Sequence, residues 1–263
     1  MASLKAMMRR RTPAFGLFVV ELDAPGMGHI LAAAGADFCF LDMEHSGFGI
    51  DTINRVLTGY AAAGVPVFVR PPSKAYHHIS RVLDAGADGV CLPMVDDAEQ
   101  AAEIVSCTRY PPQGVRGIGL QITHDRFAYG DPAAKLAAAN RRMCVVVQIE
   151  TEAGAENVDV IAATPGVDMI WVGHYDLSAA MGIAGRYDHP RYQKVLKAIR
   201  AACDRHGVSL GTIAPDVDAG IGALKQGYNF ISYATDAWLL RDALRAGIDS
   251  MRASLGKPGG KRG

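Results

Sequence analysis

Two carboxylates, Glu150 and Asp176, stand at or just beyond the ends of apolar runs, MCVVVQIE and MIWVGH, with no cluster of cysteine or histidine beside them. Oxygen-only ligation selects a hard or borderline divalent cation, Mg²⁺, Mn²⁺ or Co²⁺, and leaves open positions for water and a chelating substrate. The competing reading is that each carboxylate pairs with an arginine. Arg70 closes the run VFVR and is followed by Pro71-Pro72. A charge there is costly unless it meets an anion, and a substrate oxygen gaining negative charge would supply one. His45 follows Glu44 at the end of FCFLDME. A lone histidine is more often a surface or packing residue than a catalyst, but its polar neighbours, with Asp42 among them, weigh towards proton transfer. Glu21, Gln148 and His174 end apolar runs in the same way, whereas Asp84, followed at once by Ala85-Gly86, reads locally as a surface charge at a helix end.

These side chains cooperate only if the chain brings the ends of five runs together. Six times a helical pattern ends in Gly, one residue follows, and a short polar residue or Pro opens an apolar run: Gly35-Ala36-Asp37, Gly64-Val65-Pro66, Gly86-Ala87-Asp88, Gly166-Val167-Asp168, Gly207-Val208-Ser209 and Gly227-Tyr228-Asn229. That is the chemistry of a loop closing a helix and opening a strand. With GLFVVE and MCVVVQIE the apolar runs number eight, and they are apolar on both faces, as parallel strands covered by helices must be. Amphipathic stretches such as DTINRVLTGYAAAG and HPRYQKVLKAIRAACDRHG lie between most of them. Eightfold alternation favours an α/β fold of the closed (β/α)8 TIM-barrel type over an open doubly wound sheet, since no G-x-G-x-x-G turn follows any run. In such a barrel, groups at the downstream strand ends form the active site. The connection from Asp96 to Arg142 is long and rich in Gly, Pro and aromatic residues, and is expected to lie over the active-site face as a lid.

Length and composition agree with one such domain. The 263 residues match the roughly 250 of a single barrel. Residues 15–255 are assigned to it, 1–14 to a basic leader and 256–263 to a Gly/Lys tail expected to be disordered. Lys plus Arg equals Asp plus Glu at 27 each, which marks no nucleic-acid or anionic-membrane partner and points to a small-molecule ligand. No apolar run approaches the roughly 20 residues of a bilayer span, and the N-terminus lacks a secretory apolar core, so the expected location is the cytoplasm. The five cysteines are scattered without C-x-x-C spacing, and three of them, Cys39, Cys91 and Cys144, sit in apolar runs as small hydrophobes.

The segments LDMEH (41–45), VFVRPP (67–72), LPMV (92–95), RYPPQGVRG (109–117), CVVVQIET (144–151) and DLSAAMG (176–182) closely resemble the HpcH/HpaI aldolases, class II enzymes acting on 2-keto acids. The likeness runs in order from Phe15 to Gly247, and its motifs are jointly specific. The resemblance implies that Glu150 and Asp176 hold the metal, that Arg70 binds the keto oxygen and stabilises an enolate, and that His45 is the acid/base, acting through a metal-held water. It implies further that Gln148 helps seat pyruvate, that Asp84 orients His45, with a subunit boundary as one route, and that Asp42 and Glu44 support the site from behind. Members are typically hexamers, trimers of dimers, whose last helix packs on a neighbour, a role open to WLLRDALRAGIDSMRASL here.

The implied reaction is cleavage or formation of a 4-hydroxy-2-keto acid from pyruvate and an aldehyde. The electrophiles acidify the methyl protons of pyruvate, and the enolate adds to the aldehyde. The family usually reads Gly-Pro-x-Asp-Leu-Ser where this chain has Gly173-His174-Tyr175-Asp176-Leu177-Ser178, so His174 and Tyr175 bear on substrate specificity. Glu21-Leu22-Asp23 adds acids where many members are neutral. Competing readings are a decarboxylase on the same site, which needs Arg70 but less of His45, a Schiff-base aldolase, which needs a strand lysine, an acyl-CoA lyase, which needs a basic groove, and a barrel retained as a non-catalytic scaffold.

Overall fold

The computed structural model describes residues 3–255, in which eight parallel strands close into a barrel in chain order. The strands are β1 (Ala14–Val19), β2 (Phe38–Asp42), β3 (Val67–Arg70), β4 (Gly89–Leu92), β5 (Cys144–Ile149), β6 (Met169–Val172), β7 (Ser209–Ala214) and β8 (Phe230–Thr235). The helices that cover them include α3 (Ile50–Ala63), α4 (Tyr76–Asp84), α5 (Ala98–Thr108), α9 (His174–Ala180), α10 (Pro190–His206), α11 (Val217–Lys225) and α12 (Asp236–Ser254). All eight anticipated strands form. β1 ends at Val19, so Glu21 lies in the following turn, exposed, rather than at the strand end.

Period-2 alternation, hidden in the sequence because both faces are apolar, sorts the strands into two cores. Outward side chains such as Leu41, Val69, Val147 and Ile170 pack under the helices. Inward side chains make a separate lumen of Phe18, Phe38, Phe40, Phe68, Met169, Trp171 and Phe230. The rings of Phe40 and Phe68 stack at 4.9 Å, and those of Phe18 and Phe40 at 4.8 Å. Inward glycines make room for this aromatic floor: a Cβ at Gly16 would lie 2.6 Å from the Phe38 ring, and one at Gly211 would lie 2.5 Å from Trp171.

The N-terminal end of the barrel is closed by the segment expected to be a leader. Residues Leu4–Arg10 form helix α1, with Leu4 and Met8 buried in the lumen cluster and Lys5 bonded to Asp168 at 2.7 Å. This corrects the assignment of 1–14 as a leader apart from the barrel: Leu4 and Met8, one helical turn apart, have a barrel floor to cover. The tail 256–263 lies outside the described residues.

The Gly-x-polar repeat has a second purpose beyond closing helices. Each of the six glycines has positive φ. The polar side chain that follows accepts the backbone N–H at or beside the start of the neighbouring strand: Asp37 from Phe15 (2.9 Å), Asp88 from Val67 (3.0 Å), Asp168 from Val145 (2.9 Å) and Asn229 from Leu210 (2.9 Å). The repeat is therefore a set of staples around the lower rim.

The long connection does not roof the active-site face. Its first part is α5, the crossover helix of β4, which carries the chain back to the lower rim. The excess length then falls on that rim, in residues 109–131 and helix α6 (Pro132–Arg142) leading into β5. Thr123 and His124 come to Gly86 at the end of α4, and Arg142 donates to the His124 carbonyl at 2.8 Å. Lid logic applies to strand-to-helix loops, and this is a helix-to-strand loop.

Candidate active site

The alternation that fills the lumen with rings continues upwards into polar groups. On β2 the inward series is Phe38, Phe40, Asp42; on β3 it is Phe68, Arg70; on β5 it is Cys144, Val146, Gln148 and then Glu150; on β6 it is Met169, Trp171 and then Gly173. Asp42 and Arg70 are register partners on adjacent strands. The Asp42 carboxylate, fully buried, takes Nε of Arg70 at 2.8 Å and Nη2 at 2.6 Å, a two-pronged pairing that fixes the guanidinium plane over the Phe18 ring. The same oxygens accept the backbone N–H of Glu44 (2.9 Å) and of His45 (3.3 Å). One carboxylate thus positions both the cation and the turn that carries the histidine.

Nη1 of Arg70 remains unclaimed by Asp42. It lies 3.0 Å from Glu44 Oε2 and 3.5 Å from Gln148 Oε1. The Glu44 oxygen is buried and is not aligned for a hydrogen bond with any donor. Burial works against the charge on Arg70, but the Asp42 carboxylate outweighs it and holds the guanidinium protonated. Gln148 turns its amide nitrogen to Glu150 Oε2 and its oxygen to Arg70, so it links the two halves of the site.

Glu150 is nearly inaccessible, at 3% exposure. Its Oε1 accepts the Met94 backbone N–H at 2.7 Å, and Met94 adopts φ 51 to present it. Desolvation pushes the Glu150 carboxyl up to about 7; hydrogen bonds from Met94 and Gln148 oppose this, and the charges of Glu44 and Asp176 reinforce it. Glu44 is raised for the same first reason, with Arg70 and His45 opposing and Asp42 and Asp176 reinforcing. Glu44 thus feels the charges of Asp42 and Asp176, and Glu150 those of Glu44 and Asp176, with Arg70 the cation beside Asp42 and Glu44. A Cβ at Gly173 would stand 2.5 Å from Glu150 Oε2 and 2.9 Å from Gln148 Nε2, so the absence of a side chain there keeps space open beside the carboxylate. All-oxygen donors, excess negative charge and kept space fit a hard divalent cation. Among the described residues no three His, Cys, Asp or Glu side chains form a ready-made cage.

The structure brings together Asp42, Glu44, Arg70, Gln148, Glu150, Gly173 and Asp176. Asp176 lies in the first turn of α9, two residues after His174. His45 is at the rim with its side chain 65% exposed and its Nε2 3.9 Å from Glu44 Oε2. Asp84 is not brought to His45 within the chain. It is the last residue of α4 and pairs with Arg116 at 2.6 Å, whose guanidinium stacks on Tyr110. His174 turns away from the carboxylates towards Tyr192 Oη, which it meets through Nδ1, and desolvation lowers it to about 4. Tyr175 is exposed on the rim.

Two contributors escaped the sequence. Met94 acts through its backbone, for which the only sequence signal is the LPMV segment. Asp236, buried after β8, accepts from Val20, Glu21 and Leu22 backbone N–H groups at 2.7–3.1 Å and shapes the β1 turn at the mouth. Its signal was a charge ending the run FISYAT, the same signal that singled out the others.

A closed eightfold barrel that gathers carboxylates and a clamped arginine at its C-terminal mouth has the arrangement of a barrel enzyme. Residues 14–243 match the HpcH/HpaI aldolase/citrate lyase family. The 5-keto-4-deoxy-D-glucarate aldolase of Shigella boydii is 36% identical over 232 residues, covering 88% of this chain and 89% of that protein. An HpcH/HpaI aldolase from Desulfitobacterium hafniense superposes with a TM-score of 0.91 at 30% identity over the whole of both chains. A family member from Burkholderia cenocepacia gives 0.88 at 33% identity, covering 95% of this chain and 98% of that one. The chain belongs to the HpcH/HpaI aldolase/citrate lyase family. It is an aldolase, a carbon–carbon lyase.

Proposed function

We propose that this enzyme cleaves, and in reverse forms, a 4-hydroxy-2-keto acid, giving pyruvate and an aldehyde, with a divalent cation (Mg²⁺, Mn²⁺ or Co²⁺) held by Glu150 and Asp176. When bound, the cation would act as a Lewis acid towards the 2-keto acid. The observation that carries the reading is the edge of Arg70 that Asp42 does not take, where Nη1 meets Glu44 and Gln148 at the mouth. Asp42 takes Nε and Nη2, leaving Nη1 directed into the space beside Glu44 and Gln148. A keto oxygen gaining charge as the enolate forms would take that donor, and the Phe18–Phe40–Trp171 floor would keep water from competing. Gln148 would seat the pyruvate part, the Gly173-His174-Tyr175 turn would border its carboxylate, and His45 would move the proton of the 4-hydroxyl. Among the described residues no lysine lies on a strand, which argues against a Schiff-base route.

The relatives named for a deoxy-keto sugar diacid favour a 2-keto-3-deoxy sugar acid as substrate over a diacid of aromatic breakdown. The test is pyruvate release from a panel of 4-hydroxy-2-keto acids, with and without EDTA and with each cation restored. Loss with chelator and recovery with cation supports the reading; pyruvate release indifferent to chelator sinks it.

A decarboxylase on the same site is the second reading, and one observation favours it: within one chain the Arg70 arm is assembled, whereas His45 is exposed and apart from Asp84. His45→Ala separates the two, since aldol cleavage would collapse and oxaloacetate-type decarboxylation would survive. The aldolase reading places Asp84 against the partner's His45 in a homo-oligomer, a hexamer built as a trimer of dimers. α12 supports such an assembly: Leu240, Leu244 and Met251 are exposed along it, and Ile221 of α11 and Ile30 of α2 (Met27–Ala33) are exposed on the barrel. No helix of the described residues is long and apolar enough to cross a membrane, and a cytoplasmic location is proposed.

A further inference from the structure

We propose that Lys74 is a positioning residue of the active site: its ammonium holds residue 94 in the left-handed conformation that delivers the Met94 N–H to Glu150. Met94 has φ 51, a region that residues with a side chain seldom enter because Cβ crowds the backbone oxygen. Its own side chain does not hold it there, since the residue is half exposed at the mouth. The backbone is held from both sides instead. The N–H donates to Glu150 Oε1 at 2.7 Å, and the carbonyl accepts Lys74 Nζ at 2.7 Å. Only the φ and ψ of Met94 separate these two groups, so an anchor on the carbonyl fixes the aim of the N–H.

The anchor is itself fixed. Lys74 follows Arg70 and Pro71-Pro72 in the turn from β3 to α4, and its ammonium also donates to Gln100 Oε1 at 2.7 Å. Gln100 lies in the first turn of α5, where Asp97 takes its backbone N–H at 2.8 Å and its Nε2 at 3.3 Å. Both acceptors of Lys74 are neutral oxygens, so this cation fixes geometry and neutralises no carboxylate there. One residue on, the Val95 N–H donates to the Gln148 carbonyl at 3.2 Å and ties the same turn to β5. Lys74 thus joins the loop that carries Arg70 to the turn that serves Glu150. With Met94 on Oε1 and Gln148 on Oε2, the Glu150 carboxylate has its plane set and keeps its remaining lone pairs for a cation. That last consequence rests on the cation reading proposed above; the positioning of the Met94 N–H does not.

Amide hydrogen exchange and Mn²⁺ affinity of the full chain test the two parts separately. In the metal-free protein Lys74→Met, which keeps the stem and removes the ammonium, should speed exchange of the Met94 amide about tenfold. Adding Met94→Gly to Lys74→Met makes the left-handed conformation accessible without an anchor and should restore most of the protection. Mn²⁺ should bind Lys74→Met about tenfold more weakly than the parent and the double variant within about threefold of it, with the metal-free melting temperatures alike. A role confined to stability would lower the melting temperature and gain nothing from Met94→Gly. The proposal is overturned by unchanged Met94 protection in Lys74→Met, by lost protection that Met94→Gly leaves lost, or by lost protection with undiminished Mn²⁺ affinity. If the parent itself binds no Mn²⁺, the cation reading fails instead, and the exchange measurements decide the role of Lys74 by themselves.

Discussion

The two ends of the barrel are made from the same eight strands under opposite rules. At the N-terminal rim one device recurs: a glycine with positive φ, then a side-chain carboxylate or amide that caps a neighbouring strand, as at Asp37, Asp88, Asp168 and Asn229. At the C-terminal mouth nothing recurs. Each strand ends in a different group, and each group is held by a different partner: Arg70 by Asp42, Glu150 by Met94 and Gln148, the β1 turn by Asp236. Repetition satisfies backbone groups and so serves stability. Its absence leaves buried charge in excess, a cost accepted where chemistry needs it. Substitutions at the two ends should therefore separate activity from stability.

The largest effect belongs to the mouth. Arg70→Lys keeps a cation for Asp42 but cannot serve Asp42 and a substrate oxygen together, so kcat/KM should fall on the order of 10²–10³-fold with a small change in melting temperature. Equal losses of activity and stability would show that Arg70 is merely structural. Gly173→Ala should come next, near a hundredfold in activity on the order seen for lost positioning. Its φ of −86 suits alanine, so only the crowding of Glu150 and Gln148 is at work.

At the rim the balance reverses. Asp168→Ala strands the Val145 N–H and frees Lys5. It should cost about 2 kcal/mol in a urea titration and leave kcat within about twofold. An Asp168 variant with normal stability and lost activity would erase the distinction between the ends.

That distinction also explains what the sequence disclosed. The rim was legible because six copies of one pattern, Gly35 through Gly227, exceed chance, and the fold follows from their spacing. The mouth was legible one residue at a time, as polar groups ending apolar runs: Asp42, Arg70, Gln148, Glu150. Partners were not legible. That Asp42 clamps Arg70 depends on a register, and the Met94 N–H belongs to the backbone, which no side-chain motif displays. The leader and the lid were misplaced for one reason: Leu4 and Met8 read as part of a basic leader until a barrel floor exists to cover, and the 109–131 stretch looks like a lid until α5 is recognised as the crossover helix.

Acidity probes the excess charge at the mouth more gently. In the metal-free chain burial raises the Glu150 carboxyl from its ordinary 4.5 to about 7. The folded state therefore holds a proton that the unfolded state releases between those values. The stability linked to this group is complete below about pH 4.5 and lost as pH rises through about 7. Glu150→Gln removes that dependence, so with EDTA present the variant should exceed the parent above pH 7 by on the order of 1–2 kcal/mol, and the two should converge near pH 5. Urea midpoints from pH 5 to 8 read this directly, and parallel curves would place the excess charge elsewhere, on Glu44.

The smallest effect falls on a rim glycine and completes the contrast with Gly173. Gly207 closes α10 at φ 67, and a Cβ built there meets nothing within 4 Å. Gly207→Ala tests backbone conformation with no crowding at all. It should cost about 1 kcal/mol, the ordinary penalty of a left-handed alanine, and leave kcat/KM unchanged. Gly173→Ala makes the same chemical change where φ is permissive and space is not, and should do the converse. If Gly207→Ala instead altered turnover, the rim would be coupled to the mouth through α10, and Tyr192, which lies on that helix and reaches His174, would be the first link to break.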